Sequence, residues 1–322
     1  MLKIAFSPIY KLTLPEGHRF PMLKYELIPE QLLYEGSVTD DNFFAPKPLL
    51  EDIIIATHTP PYFNKMKHLA LTPKEMRRIG FPLTQQLFDR CLTIAGGTIE
   101  ACHFAITYGV AMNVAGGTHH AFTDRGEGFC LLNDQAMAAN YLIDNNLAKR
   151  ILIIDLDVHQ GNGTAEIFRK SKNKWSNGQN TVTQSVMAQN ALKGGVFTFS
   201  MHGANNYPLH KEQSNLDIGL PDGVEDGFYL KVLRENLNLL IDEVQPDFAF
   251  FNAGVDVLGT DKLGKLNLTM HGCGQRDKLV FEICKRNNVP IVVSMGGGYS
   301  ARVATIVEAH AQTFRVAQEV FF

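Results

Sequence analysis

The chain is predicted to fold as an α/β protein built on a single open, mostly parallel β-sheet with helices on both faces. Three observations predict it. Short runs rich in Val, Ile and Phe recur along the 322 residues without alternating apolar and polar positions, as strands buried on both faces do. Stretches with helical spacing lie between those runs, so strand and helix alternate to the end. No internal repeat, low-complexity linker or composition shift marks a second domain, and residues 1–322 are read as one.

In order, the strand candidates are LKIAF from residue 2, DIIIATH from 52, GVAMNVAGG from 109 and ILIID from 151. GVFTFSMHG from 195, DFAFFNAG from 247 and VPIVVSMGGG from 289 complete the set. The helix candidates are 84–107, which Gly96-Gly97 could divide in two, then 133–147, 228–244 and 270–288. The last of these stops just before Pro290, where a new strand begins. One polar stretch at about 171–194 breaks the rhythm and holds the only Trp, Trp175. It follows a helix and precedes a strand, so it is expected at the amino ends of the strands, as a surface insertion.

Hydrophobic residues make up 45% and charged residues 20%, ordinary for a soluble globular protein. A formal charge of −3 offers no concentrated basic face for nucleic acid. The five cysteines are odd in number and scattered without a CxxC pair, so neither a disulfide framework nor a thiolate zinc cage is indicated. Lys3, Pro8 and Lys11 break up any signal-peptide core. No apolar run approaches the roughly 20 residues that span a bilayer. The expectation is a cytoplasmic protein, or a nuclear one in a eukaryote, without nucleic-acid or membrane partners.

The chemistry lies just past the end of each strand. GVAMNVAGG runs into Thr118-His119-His120, and ILII into Asp155, Asp157 and His159. VFTFS runs into Met201-His202, FAFFNAG into Asp256, and IVVSM into three glycines and Tyr299. Open α/β sheets bind ligands beyond the carboxyl ends of their strands. Separately these residues are weak signals: a His-His pair can be bonded to backbone, a lone Asp can cap a helix, and a glycine triplet without a Lys after it is no phosphate loop. The DxDxH of 155–159 is stronger. Residues two apart on an extended strand face the same way, and three polar groups leaving a buried run are costly without a cation or hydrogen bonds. Two carboxylates and an imidazole leave coordination positions open, as in a catalytic metal site. Asp157, His159 and Asp256 as ligands, His119-His120 as bases and Tyr299 as electrophile describe metal-assisted hydrolysis of an amide. Leu258, two residues after Asp256, favours one metal over two.

GGTHHAFTDRGEGFCLLND, IIDLDVHQGNGTAEIF, FNAGVDVLGTDKLGKLNLT and SMGGGYS together resemble the histone deacetylase superfamily over nearly the whole chain. Gln160 and the GGT of 96–98 look closest to its class IV branch and bacterial relatives. The resemblance implies the arginase/deacetylase fold and one Zn2+ per chain held by Asp157, His159 and Asp256. It assigns catalytic roles to His119, His120, Tyr299, Asp155 and Asn162. Asn162 replaces the Asp that pairs the second histidine in class I enzymes, so His120 is expected to be less basic. The resemblance also implies a monovalent cation, K+, near Asp155, Asp157, His159, Ser200 and Met201. Gly128, Phe129, Tyr207 and Gly298 match the wall of a narrow substrate tunnel, and His18-Arg19 a part of an inner cavity. The function it implies is a zinc-dependent deacylase acting on acetyl- or longer acyl-lysine in a protein or peptide, histones included. Iron(II), cobalt or manganese would suit the same ligands. The alternatives are a deacylase of acetylpolyamines or another small amide, and an inactive acyl-lysine binding module.

Overall fold

Burial decides where the strands form. In a computed structural model, which describes residues 1–172 (side chains to 169) and 195–322, Ile151–Ile154, Phe248–Phe251 and Ile291–Val293 are almost wholly shielded from solvent. They belong to three of eight strands: β1 (Lys3–Ala5), β2 (Phe43–Phe44), β3 (Val110–Asn113), β4 (Arg150–Asp155), β5 (Gly195–Gly203), β6 (Leu216–Leu220), β7 (Phe248–Asn252) and β8 (Ile291–Ser294). The strands make one sheet in the order β2-β1-β3-β8-β7-β4-β5-β6, and every pair is parallel. Parallel neighbours need crossover segments, and helices packed on the faces explain the unbroken apolar runs.

The described residues hold ten α-helices: α1 (Lys24–Tyr34), α2 (Glu51–Ile55), α3 (Pro60–Lys67), α4 (Pro73–Ile79), α5 (Gln85–Tyr108), α6 (Asp134–Asp144), α7 (Asn162–Lys172), α8 (Asp226–Val244), α9 (Met270–Arg286) and α10 (Val303–Phe321). None of them is long and apolar enough to cross a membrane. The expected fold class holds. The insertion expected at 171–194 lies, from residue 173 on, outside the described residues.

Two expectations fail locally. Residues 52–58 do not form a strand: Glu51–Ile55 are helical, and within that turn only Ile54 is buried. An apolar run of four fits either periodicity, and Glu51 and Asp52 favour a helix by sitting in its first turn. Nor do Gly96-Gly97 divide α5, which runs unbroken. A Cβ on Gly96 would fall 1.9 Å from the Lys47 carbonyl oxygen, so the glycine serves close packing on the helix flank. The edge strands β2 and β6 are too short or too polar to stand out in sequence.

The order of the sheet positions the site. β3, β8, β7 and β4 are consecutive neighbours, with β5 next. Segments far apart in sequence therefore leave the sheet side by side, at the carboxyl ends.

Candidate active site

Asp157 and His159 leave the end of β4, and Asp256 comes four residues after β7. His159 Nδ1 lies 3.0 Å from Asp157 Oδ1 and 3.1 Å from Asp256 Oδ2. One ligand atom from each of the three residues lies within 4.8 Å of the others. Donors on one tetrahedral ion with bonds of 2.0–2.1 Å would stand about 3.3 Å apart, so the set fits a zinc-sized cation. Its electrostatics ask for one. Burial, and then the Asp157 charge, push the Asp256 carboxyl up to about 7. Burial opposes charge on His159 too, but Asp157 and Asp256 raise its imidazole to about 10. Two converging carboxylates thus draw a positive charge between them.

Backbone donors hold these carboxylates. The N–H of Val158 donates to Asp256 Oδ1 at 2.9 Å, and that of Gly297 to Asp157 Oδ2 at 2.8 Å. A Cβ on Gly297 would fall 2.1 Å from Asp256 Oδ2, so only glycine lets this loop lie against the cluster.

The paired histidines occupy different environments. His119 Nδ1 lies 2.7 Å from Asp155 Oδ2. Burial lowers its affinity for a proton, but Asp155 and Asp157 outweigh that and raise it to about 9. His120 Nδ1 lies 2.7 Å from Asn162 Oδ1. Burial, then the charges of His119 and His159, hold His120 well below the usual imidazole range. Neutral Asn162 does not compensate. Burial is the leading cause of the low proton affinity of His120.

A cleft of about 300 Å³ leads to this floor, lined by Gly128, Phe129, Tyr207, His120, His159 and Tyr299 among others. The Tyr299 ring lies 6.0 Å from those of Phe20 and Phe129, and its phenol makes no hydrogen bond to any described residue. Gly298 is not part of this lining; it is buried where a Cβ would meet Val255. His18-Arg19 do not line the inner cavity of about 40 Å³ behind the histidines, which Arg90 lines instead. His18 bonds the Gly80 carbonyl at 2.9 Å, and Arg19 lies over the Phe129 ring in the outer cleft. Ser200 pairs with Asp155 in register and bonds His202, and Met201 is wholly buried in β5.

Several supporting residues carry no signal in the sequence. Asp134, in the first turn of α6, accepts bonds from Thr118 N, Thr118 Oγ1, Thr98 Oγ1 and Ser294 Oγ, pinning the loop that precedes His119. Lys24, 1% exposed, donates to the Gly296 carbonyl at 2.9 Å, behind the turn that carries Tyr299. Arg276 donates to the carbonyls of Gly254 and Leu156, beneath both ligand loops.

Buried His58 donates from Nδ1 to the Phe122 carbonyl and accepts the Asn133 N–H at Nε2, so its neutral form is fully bonded. Burial lowers its pKa to about 4, against the donated bonds to Phe122 and Thr123. The unfolded chain then binds the extra proton between about pH 6.5 and 4, and stability is present above that window and lost as pH falls through it. His58 alone is expected to cost about 2 kcal/mol between pH 7.5 and 5. Urea midpoints of the wild type and of His58→Gln at both pH values measure it; an equal acid loss in the two would rule His58 out.

Residues 18–314 match the histone deacetylase domain family. The chain is 39% identical over 318 residues to an uncharacterized protein of Picosynechococcus sp., covering 99% of each. It is 27% identical over 313 residues to histone deacetylase 2 of Arabidopsis thaliana, covering 94% of this chain and 74% of that one. A crystallised HDAC homolog complexed with SAHA superposes with a TM-score of 0.78 at 23% identity, covering 99% of this chain and 84% of that one. An HDAC homolog from Aquifex aeolicus gives 0.77 at 23% identity, covering 98% and 84%. The structural likeness concerns the fold, and the domain match adds the family: this chain belongs to the histone deacetylase family of hydrolases.

Proposed function

We propose that the chain is a zinc-dependent amidohydrolase that removes acetyl or longer acyl groups from lysine side chains. The convergence of Asp157, His159 and Asp256 at the floor of a cleft that also presents His120 and Tyr299 carries this reading. Zinc held by those three would polarise the acyl carbonyl and acidify the attacking water. The residues of the chain do the rest. Phe129 and Tyr207 flank the aliphatic stem and exclude water from it. His120, neutral, keeps its Nε2 lone pair for the proton of the attacking water, since Nδ1–H is engaged by Asn162. His119, oriented by the bond from Nδ1 to Asp155, faces the growing negative charge and supplies the proton to the departing amine. Their environments push the two affinities apart, as an acid and a base require. The Tyr299 phenol donates to the developing oxyanion; burial, then Asp256 and Asp157, keep it protonated throughout the working range.

Gln160 and Gly96-Gly97-Thr98 support placement in the class IV branch, and the Asp155–Ser200 neighbourhood supports a potassium ion held with Asp157, His159 and Met201. The location this reading implies is the cytoplasm, or the nucleus in a eukaryote. Filled catalytic positions favour turnover over an inactive binding module.

The test pairs metal content with turnover. The purified chain is expected to carry one zinc and to hydrolyse an acyl-lysine peptide to the free carboxylate and the peptide's unmodified lysine side chain, while Asp256→Ala loses most of both. Full zinc occupancy in Asp256→Ala would refute the ligand set.

A further inference from the structure

The outer end of the cleft carries a charge that the catalytic floor does not need. Arg19, Arg78 and Lys265 line it, together with uncharged Asn205, and no carboxylate is among the residues of its wall. Two carboxylates pair with these cations. Glu127, whose side chain is only 13% exposed, lies 3.6 Å from Arg78 Nε, accepts from Arg125 Nε at 3.0 Å and accepts the Tyr207 hydroxyl at 2.7 Å. It is thus shared among three partners and is not among the residues that line the cleft. Asp222 lies 3.9 Å from Lys265, with both side chains about half exposed, a separation at which the pair contributes little. Arg19 has no carboxylate within ion-pairing distance among the described residues. Its guanidinium sits 5.0 Å above the Phe129 ring, at the tunnel wall itself.

A guanidinium fixed on an aromatic face, with its N–H groups unclaimed by any acid, is a seat for a planar oxyanion. We infer that the substrate is an Nε-acyl-lysine carrying a carboxylate just outside the tunnel, seated by Arg19 and Arg78, with Lys265 adding to the field; the inference rests on the deacylase reading above. The carboxylate comes either from an acidic residue flanking the acyl-lysine or from the lysine's own free α-carboxyl group. The same charges repel an acylated polyamine, and they repel the Lys- and Arg-rich surroundings of a basic protein tail. Both would bring cations to a wall that already holds three.

The test uses the full chain loaded with zinc, and peptides with a central acyl-lysine flanked by Asp, by Ala or by Lys, each in acetyl and octanoyl forms. Acyl-lysine with a free or an amidated carboxyl end, and N-acetylputrescine, complete the set. At about 20 mM salt, kcat/KM is expected to fall from Asp- to Ala- to Lys-flanked peptide by about tenfold in all, the yield of two exposed ion pairs, mainly through KM. About 0.5 M NaCl should compress the ranking. Arg19→Gln with Arg78→Gln should level it by raising KM for the acidic peptide. A preference for the free over the amidated carboxyl end, larger than that for flanking Asp, identifies the α-carboxylate as the source; the reverse identifies acidic neighbours. Equal rates on all three flanks, a preference for Lys flanks or for N-acetylputrescine, or a ranking untouched by the double substitution overturns the inference and leaves the deacylase reading standing. No turnover of any compound by the zinc-loaded chain overturns the deacylase reading, and this inference with it.

Discussion

Tyr299→Phe is expected to bind zinc as fully as the unaltered chain and to turn over acyl-lysine about 10²- to 10³-fold more slowly, the usual cost of one lost oxyanion donor. The substitution removes one oxygen and little else. The ring still packs against Phe20 and Phe129, and the backbone N–H of residue 299 still donates to Asp261 Oδ2 at 2.6 Å, so the loop keeps its place. The phenol is not among the converging ligand atoms, so metal content should not change. Because the bond forms only as the carbonyl oxygen gains charge, kcat should fall while KM stays nearly constant. Steady-state kinetics on one acyl-lysine peptide, with zinc measured on the same preparation, checks both halves. Turnover at the wild-type rate would remove Tyr299 from the mechanism, and a loss of zinc would make it a structural residue.

The parts of this site that are legible in the sequence share a physical cause. Asp155, Asp157 and His159 leave a wholly apolar run, and charges in that position demand partners. Asp256 and Tyr299 come after equally apolar runs, so their strands can be recognised and their carboxyl ends inferred. The illegible parts have partners that leave no mark in a sequence. Lys24 and Arg276 bond backbone carbonyls of Gly296, Gly254 and Leu156, and a carbonyl belongs to every residue type. Asn252 is similar: its side-chain amide reaches Asp155 Oδ1 at 3.0 Å, yet it reads as the last residue of an apolar strand. The family resemblance assigns Gly298 to the tunnel, but its neighbour Tyr299 makes the wall while Gly298 packs beneath. The strand expected at 52–58 shows the limit of periodicity over short runs, where the winding is decided by which single side chain meets the core.

Arg276→Met tests whether that hidden support acts on the site or merely on the fold. Arg276 is fully buried on α9; Nε and Nη2 each lie 2.8 Å from Asp277 Oδ1, and Nη1 donates to the Gly254 and Leu156 carbonyls. Leu156 lies between Asp155 and Asp157, and Gly254 two residues before Asp256, so one guanidinium ties together both loops that carry the carboxylates. Removing it leaves Asp277 as a buried charge with only Thr313 Oγ1 as partner among the described residues, and the chain is expected to lose about 3–5 kcal/mol of stability. Stability alone cannot separate the two roles, but a second substitution can. Arg276→Met with Asp277→Leu exchanges the whole ion pair for apolar groups, which in buried sites is often neutral or stabilising, so the urea midpoint should return towards the wild-type value. The carbonyl anchors do not return with it. If Arg276 positions the ligand loops, the double variant is as stable as the wild type yet binds zinc more weakly against a chelator series and hydrolyses acyl-lysine more slowly. Recovery of zinc affinity along with stability would reduce Arg276 to a core ion pair, and the alignment of Asp157 with Asp256 would then rest on the N–H groups of Val158, His159 and Gly297.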